Sequence, residues 1–409
     1  MGSPAAAPQA AADPSDDHES DEEPDVTFET VKFARQANLS FSNTERLLAL
    51  LELAARVGKP DLQSAAAVNR YVDQLLLNSN DGWEEDTFTI TSEHVPQLRD
   101  HRVNVRWFFR NSEQWLVSQC GNPAYDGSFV LRARKRRGPD GQRIIRDPHT
   151  ADAWLEAQAT LRERLQAAGA SEADIKAAVI AALQLTSDKT LLNVKGLQAY
   201  PVRACLLNLM YGLRIDNIDC LAYFPVLKRP PGVSSHTWRL VRLFAVNECL
   251  RRLLAPLKQL ANEGKVTAAP SGALYRFFPR LLSYVADDPE VHDISCILSG
   301  GTLHPCEQCW ELRDNFDGFS TAAPRTTGEQ KELRARICAG ETNLIKEKST
   351  HPIASGLWAE GDDQAGWEDN ELLATFGFES MHNDDLGVFL DLVELTVETI
   401  RTEAGRKAQ

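Results

Sequence analysis

Two apolar runs in this chain each stop at an acid. VIAALQLTS, residues 179–187, runs straight into Asp188, and LLSYVA, residues 281–286, runs straight into Asp287 and Asp288. Any fold that buries both runs must release these acids at the ends of core elements. Between them, residues 236–262 carry Trp238, Val241, Leu243, Phe244, Val246, Leu250, Leu253, Leu254, Leu257 and Leu260. That spacing predicts an amphipathic helix, with a bend at Pro256. The first run taken alone fits a helix or a buried strand; in context the reading is strand to acid, long helix, strand to acid. Carboxylates so placed suit divalent-metal chemistry, because Mg²⁺ or Mn²⁺ is held by a few carboxylates and keeps water and substrate phosphate in its shell. Two such ions can activate an attacking water and stabilise a leaving oxygen. The plainer alternative is that both acids are ordinary turn residues.

Charge narrows the possible partners. The 409 residues include 44 Lys and Arg against 58 Asp and Glu, a net charge of −14. A surface coated in positive charge for non-specific duplex binding is therefore excluded, and any nucleic-acid contact must be local. No stretch approaches the roughly 18 to 20 apolar residues of a membrane helix, and the start lacks a basic-then-apolar leader. The expectation is a soluble, intracellular protein with no membrane partner and no small-molecule substrate. Eight cysteines are thinly spread, which favours free thiols or metal ligation over a disulfide framework.

Along the chain, residues 1–26 are Ala, Pro, Ser and acid, too little apolar surface to offset ordering entropy, and are expected to form a disordered acidic tail. Residues 27–82 read as a helical pre-domain: Leu47, Leu48, Leu50, Leu51, Leu53 and Ala54 have helical spacing after Ser42 and Glu45, a capping-box pair. A second helix is expected over 65–77.

Residues 83–178 mix strands and helices. TFTI and VNVRWFF suggest a strand pair, followed by a short helix and the turn Gly121-Asn122-Pro123. LRARKRRGPDGQRIIR, residues 131–146, has the composition of a hairpin about Gly138-Pro139-Asp140-Gly141. Its Arg132, Arg134, Lys135, Arg136 and Arg137 make the one dense basic block, a candidate DNA-phosphate contact or nuclear localisation signal; a solvated hairpin face is the bland alternative. Residues 151–178 predict a helix pair broken at Gly169, the second helix starting at Ser171 and Asp174. Pro201 is awkward inside LQAYPVRACLLNL, since proline removes a ladder donor, so pairing there is expected to begin after Val202.

At Asp188 the sequence resembles a known family. LTSDKTLLNVKGLQAYPV is similar to the signature of Plavaka transposases, which belong with the CACTA-like cut-and-paste DNA elements. GNPAY at 121–125, LAYFPVLKRP at 221–230, LRRLLAPLKQLANEG at 250–264 and YVADDPE at 284–290 resemble further family blocks in the same order, from Trp83 to Cys309. The resemblance implies a mixed α+β (α/β) fold with a ribonuclease-H-like core over 179–320, a C-terminal helical and loop insertion over 321–409, and Asp188 and Asp287 on neighbouring strands as the first two metal-binding aspartates. It implies metal-dependent cleavage and strand transfer of DNA at transposon ends, with Mg²⁺ or Mn²⁺, in the nucleus; self-association is a further expectation. Asp288 stands where the family usually has an aromatic residue.

Cys306-Glu307-Gln308-Cys309 has the spacing that lets two thiolates share one Zn²⁺. Cys296 precedes it, and the family has a comparable trio. A structural zinc site needs a fourth ligand, for which His382 is preferred and His304 and His292 are rivals. Cys120, Cys205, Cys220, Cys249 and Cys338 read as core or incidental thiols. FESMHNDDLGVFLDLVEL, residues 378–395, resembles a family block but has Glu379 in place of its aspartate, retaining His382, Gly387, Phe389 and Asp391. The family's third catalytic acid has no counterpart before Gln409, so the chain is expected to be inactive alone. The alternative is a non-enzymatic nuclear DNA- or protein-binding module. Trp358 and Trp367 are expected to be packing anchors.

Overall fold

The computed structural model describes residues 82–191, 198–299, 301–315, 322–358, 367 and 372–378. The chain divides into two compact units, 1–68 and 69–409, and all described residues lie in the second. The acidic tail, the pre-domain helices, Glu379, His382 and the rest of 378–395 beyond Phe378 lie outside them.

The elements are β1 (Trp83–Ile90), β2 (Val103–Arg110), α1 (Ser112–Cys120), β3 (Arg136–Arg137), β4 (Arg143–Ile144), α2 (Asp152–Ala167), α3 (Glu172–Ala177), β5 (Ala178–Ser187), β6 (Thr190–Leu191), β7 (Gln198–Ala199), β8 (Pro201–Leu206) and α4 (Tyr211–Asp216). There follow β9 (Asp219–Tyr223), α5 (Ser235–Glu263), β10 (Lys265–Ala268), β11 (Leu274–Ala286), α6 (Asp288–Ser295), α7 (Thr327–Cys338), α8 (Leu344–Glu347) and β12 (Phe376–Phe378). The protein is thus mixed α+β.

One eight-stranded sheet has the path β1-β2-β9-β8-β5-β11-β10, with β12 also paired to β11. β1, β2, β9, β8 and β5 are antiparallel neighbours, whereas β11 runs parallel to β5 and β12 parallel to β11. Segments 83–178 and 179–320 therefore contribute strands to the same sheet.

The first apolar run is a strand because it is buried on both faces. Val179, Ala181, Leu183 and Leu185 join the large core with the α5 leucines. Ala178, Ile180 and Ala182 point the other way, packing with Trp154 and Leu161 of α2 and Phe278 of β11. Period-two alternation between two apolar layers is what a central strand covered by helices requires. Helix α5 spans roughly 44 Å at 1.5 Å per residue, and its N-cap Ser234 accepts from the Thr237 amide at 3.1 Å. It stays one helix through Pro256. Gly264 ends it with φ 70°, and a Cβ there would meet Phe278 at 2.7 Å.

Pro201 opens β8 and pairs with Tyr223 of β9, whereas pairing to β5 begins one residue later, at Val202 opposite Ser187. The first residue of a strand is where proline is tolerated. Gly169 separates α2 from α3 with φ 74°, and Ser171 and Asp174 form a capping box. On β11 the register to β5 shifts between Leu281 and Ser283, a bulge at Leu282. Trp358 and Trp367 are buried in the core. No helix among the described residues is long and apolar enough to cross a membrane.

Candidate functional site

The last registered pair of the two parallel strands is Thr186 with Val285. Two residues further on each strand stand Asp188 and Asp287, leaving the sheet at the same edge on chains about 4.8 Å apart. Asp287 is the N-cap of α6 and accepts from the Glu290 amide through Oδ1 at 2.9 Å, so one of its oxygens is fixed by the helix it starts. Asp288 in the first turn adds negative charge where the helix dipole favours it. Asp188 is exposed and accepts from the Thr190 hydroxyl at 3.1 Å.

Behind this pair lies a carboxyl that sequence reasoning missed. Glu290 is only 6% exposed. It hydrogen-bonds the Ser187 hydroxyl, whose oxygen is 2.7 Å from that of Tyr284. Burial pushes the Glu290 carboxyl up to about 8, against the opposing effect of a Tyr200 hydrogen bond and with a further upward push from Asp287, Asp188 and Asp293. Burial also raises the Tyr200 hydroxyl, helped by the Glu290 charge. The signal available in the sequence was the Asp287-x-x-Glu290 spacing, which puts an N-cap and its third helical residue in contact.

The basic hairpin forms as β3 and β4, with Arg136 opposite Ile144 and Arg137 opposite Arg143. Arg134, Lys135, Arg136 and Arg137 are exposed, and Arg137 donates to the Gly141 carbonyl at 2.8 Å. Arg132 differs from its neighbours: its guanidinium donates to the carbonyls of Ala178, at 2.6 Å, and Lys176. That anchor sits at the first residue of β5, whereas Asp188 follows the last. Ten residues of strand separate them, roughly 33 Å.

Cys306 and Cys309 lie together and hydrogen-bond each other, and burial pushes the Cys306 thiol up to about 11. Their loop is held by Arg325, whose guanidinium donates to the carbonyls of Cys306 at 2.8 Å, Cys309 at 3.2 Å and His304 at 2.7 Å while stacking 3.8 Å over the Trp310 ring. Cys296 is buried at the C-cap of α6 with φ 58°, its thiol 3.7 Å from the Asp293 carbonyl. His304 Nδ1 lies 2.9 Å from the Trp310 carbonyl. Cys120, Cys205 and Cys249 are buried, Cys220 half-buried and Cys338 exposed, all as free thiols. Among the described residues, the three-ligand group whose ligand atoms all lie within 4.8 Å of one another is Asp288, His292 and Glu307; it includes neither the cysteines nor the Asp188 and Asp287 pair.

Comparison with known proteins adds one finding. The family model described as Plavaka transposase matches residues 63–361, more than half the chain, and covers every strand of the sheet except β12, the carboxyl pair and the cysteine loop. A search of curated proteins gave no match.

Proposed function

Since the chain belongs to the Plavaka transposase family, we propose that it derives from a nuclear enzyme that cut and joined DNA at transposon ends, with Asp188 and Asp287 as its metal-binding pair. The observation that carries this reading is the parallel register of β5 and β11, which sets the two aspartates side by side. The antiparallel run β9-β8-β5, followed by the parallel additions β11 and β12, supports a ribonuclease-H-like core. The donor set suits Mg²⁺ or Mn²⁺: two carboxylates at an open sheet edge, neither of them in an ion pair with a described side chain. A cation held there supplies electrostatic stabilisation to phosphoryl transfer. Asp188 and Asp287 would share it, and the Glu290 amide would keep Asp287 aimed.

We further propose that this chain alone cuts DNA feebly or not at all. The nearby carboxyl of Glu290 is buried and turned to Ser187 and Tyr200, so Glu290 does not complete the pair as an ionised ligand. Cys306 and Cys309 supply two ligands for a structural Zn²⁺, with their loop preformed by Arg325. A non-enzymatic DNA-binding role is the second reading, favoured by the exposed Arg134, Lys135 and Arg136.

The deciding experiment measures Mn²⁺ binding and Mn²⁺-dependent nicking of supercoiled DNA by the purified chain and by Asp188→Asn with Asp287→Asn. Weak Mn²⁺ binding that the double substitution reduces by one site, with no nicking, is expected. Mn²⁺ binding unchanged by the substitutions sinks the metal-pair reading, and nicking by wild type alone sinks the proposed inactivity.

A further inference from the structure

We infer that Asp288, His292 and Glu307 form a binding site for a divalent transition-metal ion, distinct from the aspartate pair. Asp288 and His292 are four residues apart on α6, hence on one face and one turn apart. Glu307 comes from the cysteine loop, and the carbonyls flanking it in sequence, those of Cys306 and Cys309, are held by Arg325. All three ligand atoms lie within 4.8 Å of one another. The site thus joins a helix start to a fixed loop.

Two observations point to a missing ligand. Glu307 is 3% exposed, yet its Oε1 has no hydrogen-bond partner, a costly state for a buried carboxyl oxygen. Second, His292 Nε2 is 3.6 Å from Asp288 Oδ1. That is too long for a good hydrogen bond, but two ligand atoms each about 2.1 Å from one tetrahedral ion stand about 3.4 Å apart.

The donor chemistry selects the ion. One imidazole with two carboxylates suits Zn²⁺, Co²⁺, Fe²⁺ or Mn²⁺ better than Mg²⁺, which prefers an all-oxygen octahedron and retains its waters. Exposed Asp288 leaves the remaining coordination position to water. Asp287 and Asp288 are adjacent but differently committed, the first to the helix cap at the sheet edge and the second to His292. An ion at the second position would therefore tie the helix start to the cysteine loop without drawing on the first pair.

The test uses Co²⁺ as a spectroscopic probe of the purified full chain, with folding checked by circular dichroism. The expected result, with Cys306 and Cys309 both changed to Ser so that no thiolate site competes, is one equivalent bound through nitrogen and oxygen that persists when Asp188 and Asp287 are both changed to Asn. Asp288→Asn, at an exposed position that does not disturb packing, and Glu307→Gln should each weaken it about ten-fold or more. Failure to observe such a spectrum, or affinity unchanged in both single variants, overturns the proposal. Because the persistence arm lacks the aspartate pair, loss of the nuclease reading would leave this result untouched.

Discussion

The Ser187 hydroxyl donates to the Glu290 carboxyl, linking the residue before Asp188 to the helix that Asp287 caps. Burial holds the Glu290 proton up to about 8, against an ordinary 4.5. A carboxyl raised on folding gives stability that is complete below the unfolded value and is lost as pH rises through the folded one.

Wild type should therefore lose stability between pH 4.5 and 8, by up to about 1.4 kcal/mol per pH unit from this group. Glu290→Gln keeps the shape and removes the titration, so it should flatten that slope and be the more stable protein at pH 8. Urea denaturation of both proteins at pH 5, 6, 7 and 8 checks this, and parallel slopes would refute the assignment.

The basic hairpin should separate into two functions. Replacing Arg134, Lys135 and Arg136 by alanine should reduce the slope of log K against log salt for duplex binding by roughly 2 to 3, since each lost phosphate contact removes about 0.9. Arg132→Ala should leave that slope alone and instead lower stability by about 1–3 kcal/mol, because the Ala178 and Lys176 carbonyls lose their charged donor. Fluorescence anisotropy over a salt series, paired with melting curves, distinguishes the two effects. An Arg132→Ala protein of normal stability but reduced salt slope would reverse the assignment.

Gly356 pins the loop before Trp358 to α5: its amide donates to Asn247 Oδ1 at 2.8 Å, and its carbonyl accepts from buried Lys258 at 2.9 Å. A Cβ there would sit 2.2 Å from the Asn247 carbonyl oxygen and 2.8 Å from the Arg251 amide. Both obstacles are helix backbone and cannot rotate away. Gly356→Ala should cost more than about 2 kcal/mol, visible as a lowered denaturant midpoint; a neutral result would mean the loop does not pack as described.

Arg325→Ala should open the cysteine loop. With the carbonyls of Cys306, Cys309 and His304 released, both thiols should react with a disulfide reagent several-fold faster than in wild type, while Cys120 and Cys249, buried elsewhere, stay protected. Equal reaction rates for Cys306 and Cys309 before and after substitution would show that the guanidinium does not hold them.

Much of this arrangement was legible in the residues. VIAALQLTS alone left helix and strand open, and the order of acids and long helix around it anticipated neighbouring strands. Gly138-Pro139-Asp140-Gly141 and Ser171 with Asp174 encoded their turn and cap by local chemistry alone. What stayed hidden depends on tertiary contact. Nothing in the local wording distinguishes Arg132 from Arg134, because its carbonyl partners lie more than forty residues ahead. Nothing in the sequence marks Glu290 or Glu307 as buried; packing buries them. The pairing of His292 with Asp288 follows from helical spacing, but the approach of Glu307 does not.

The bulge at Leu282 has a consequence for tolerance to length change. Before it, each β11 residue pairs with the β5 residue numbered 98 lower; after it, the difference is 99. The extra residue works as a vernier, advancing the strand's tail by one step so that 287 meets 188 rather than 189. Deleting Leu282 would remove only the bulge, leaving Ser283 opposite Gln184 and Asp287 opposite Asp188. The strand can therefore lose one residue at this point, whereas a second deletion within β11 would offset the two aspartates along the sheet edge.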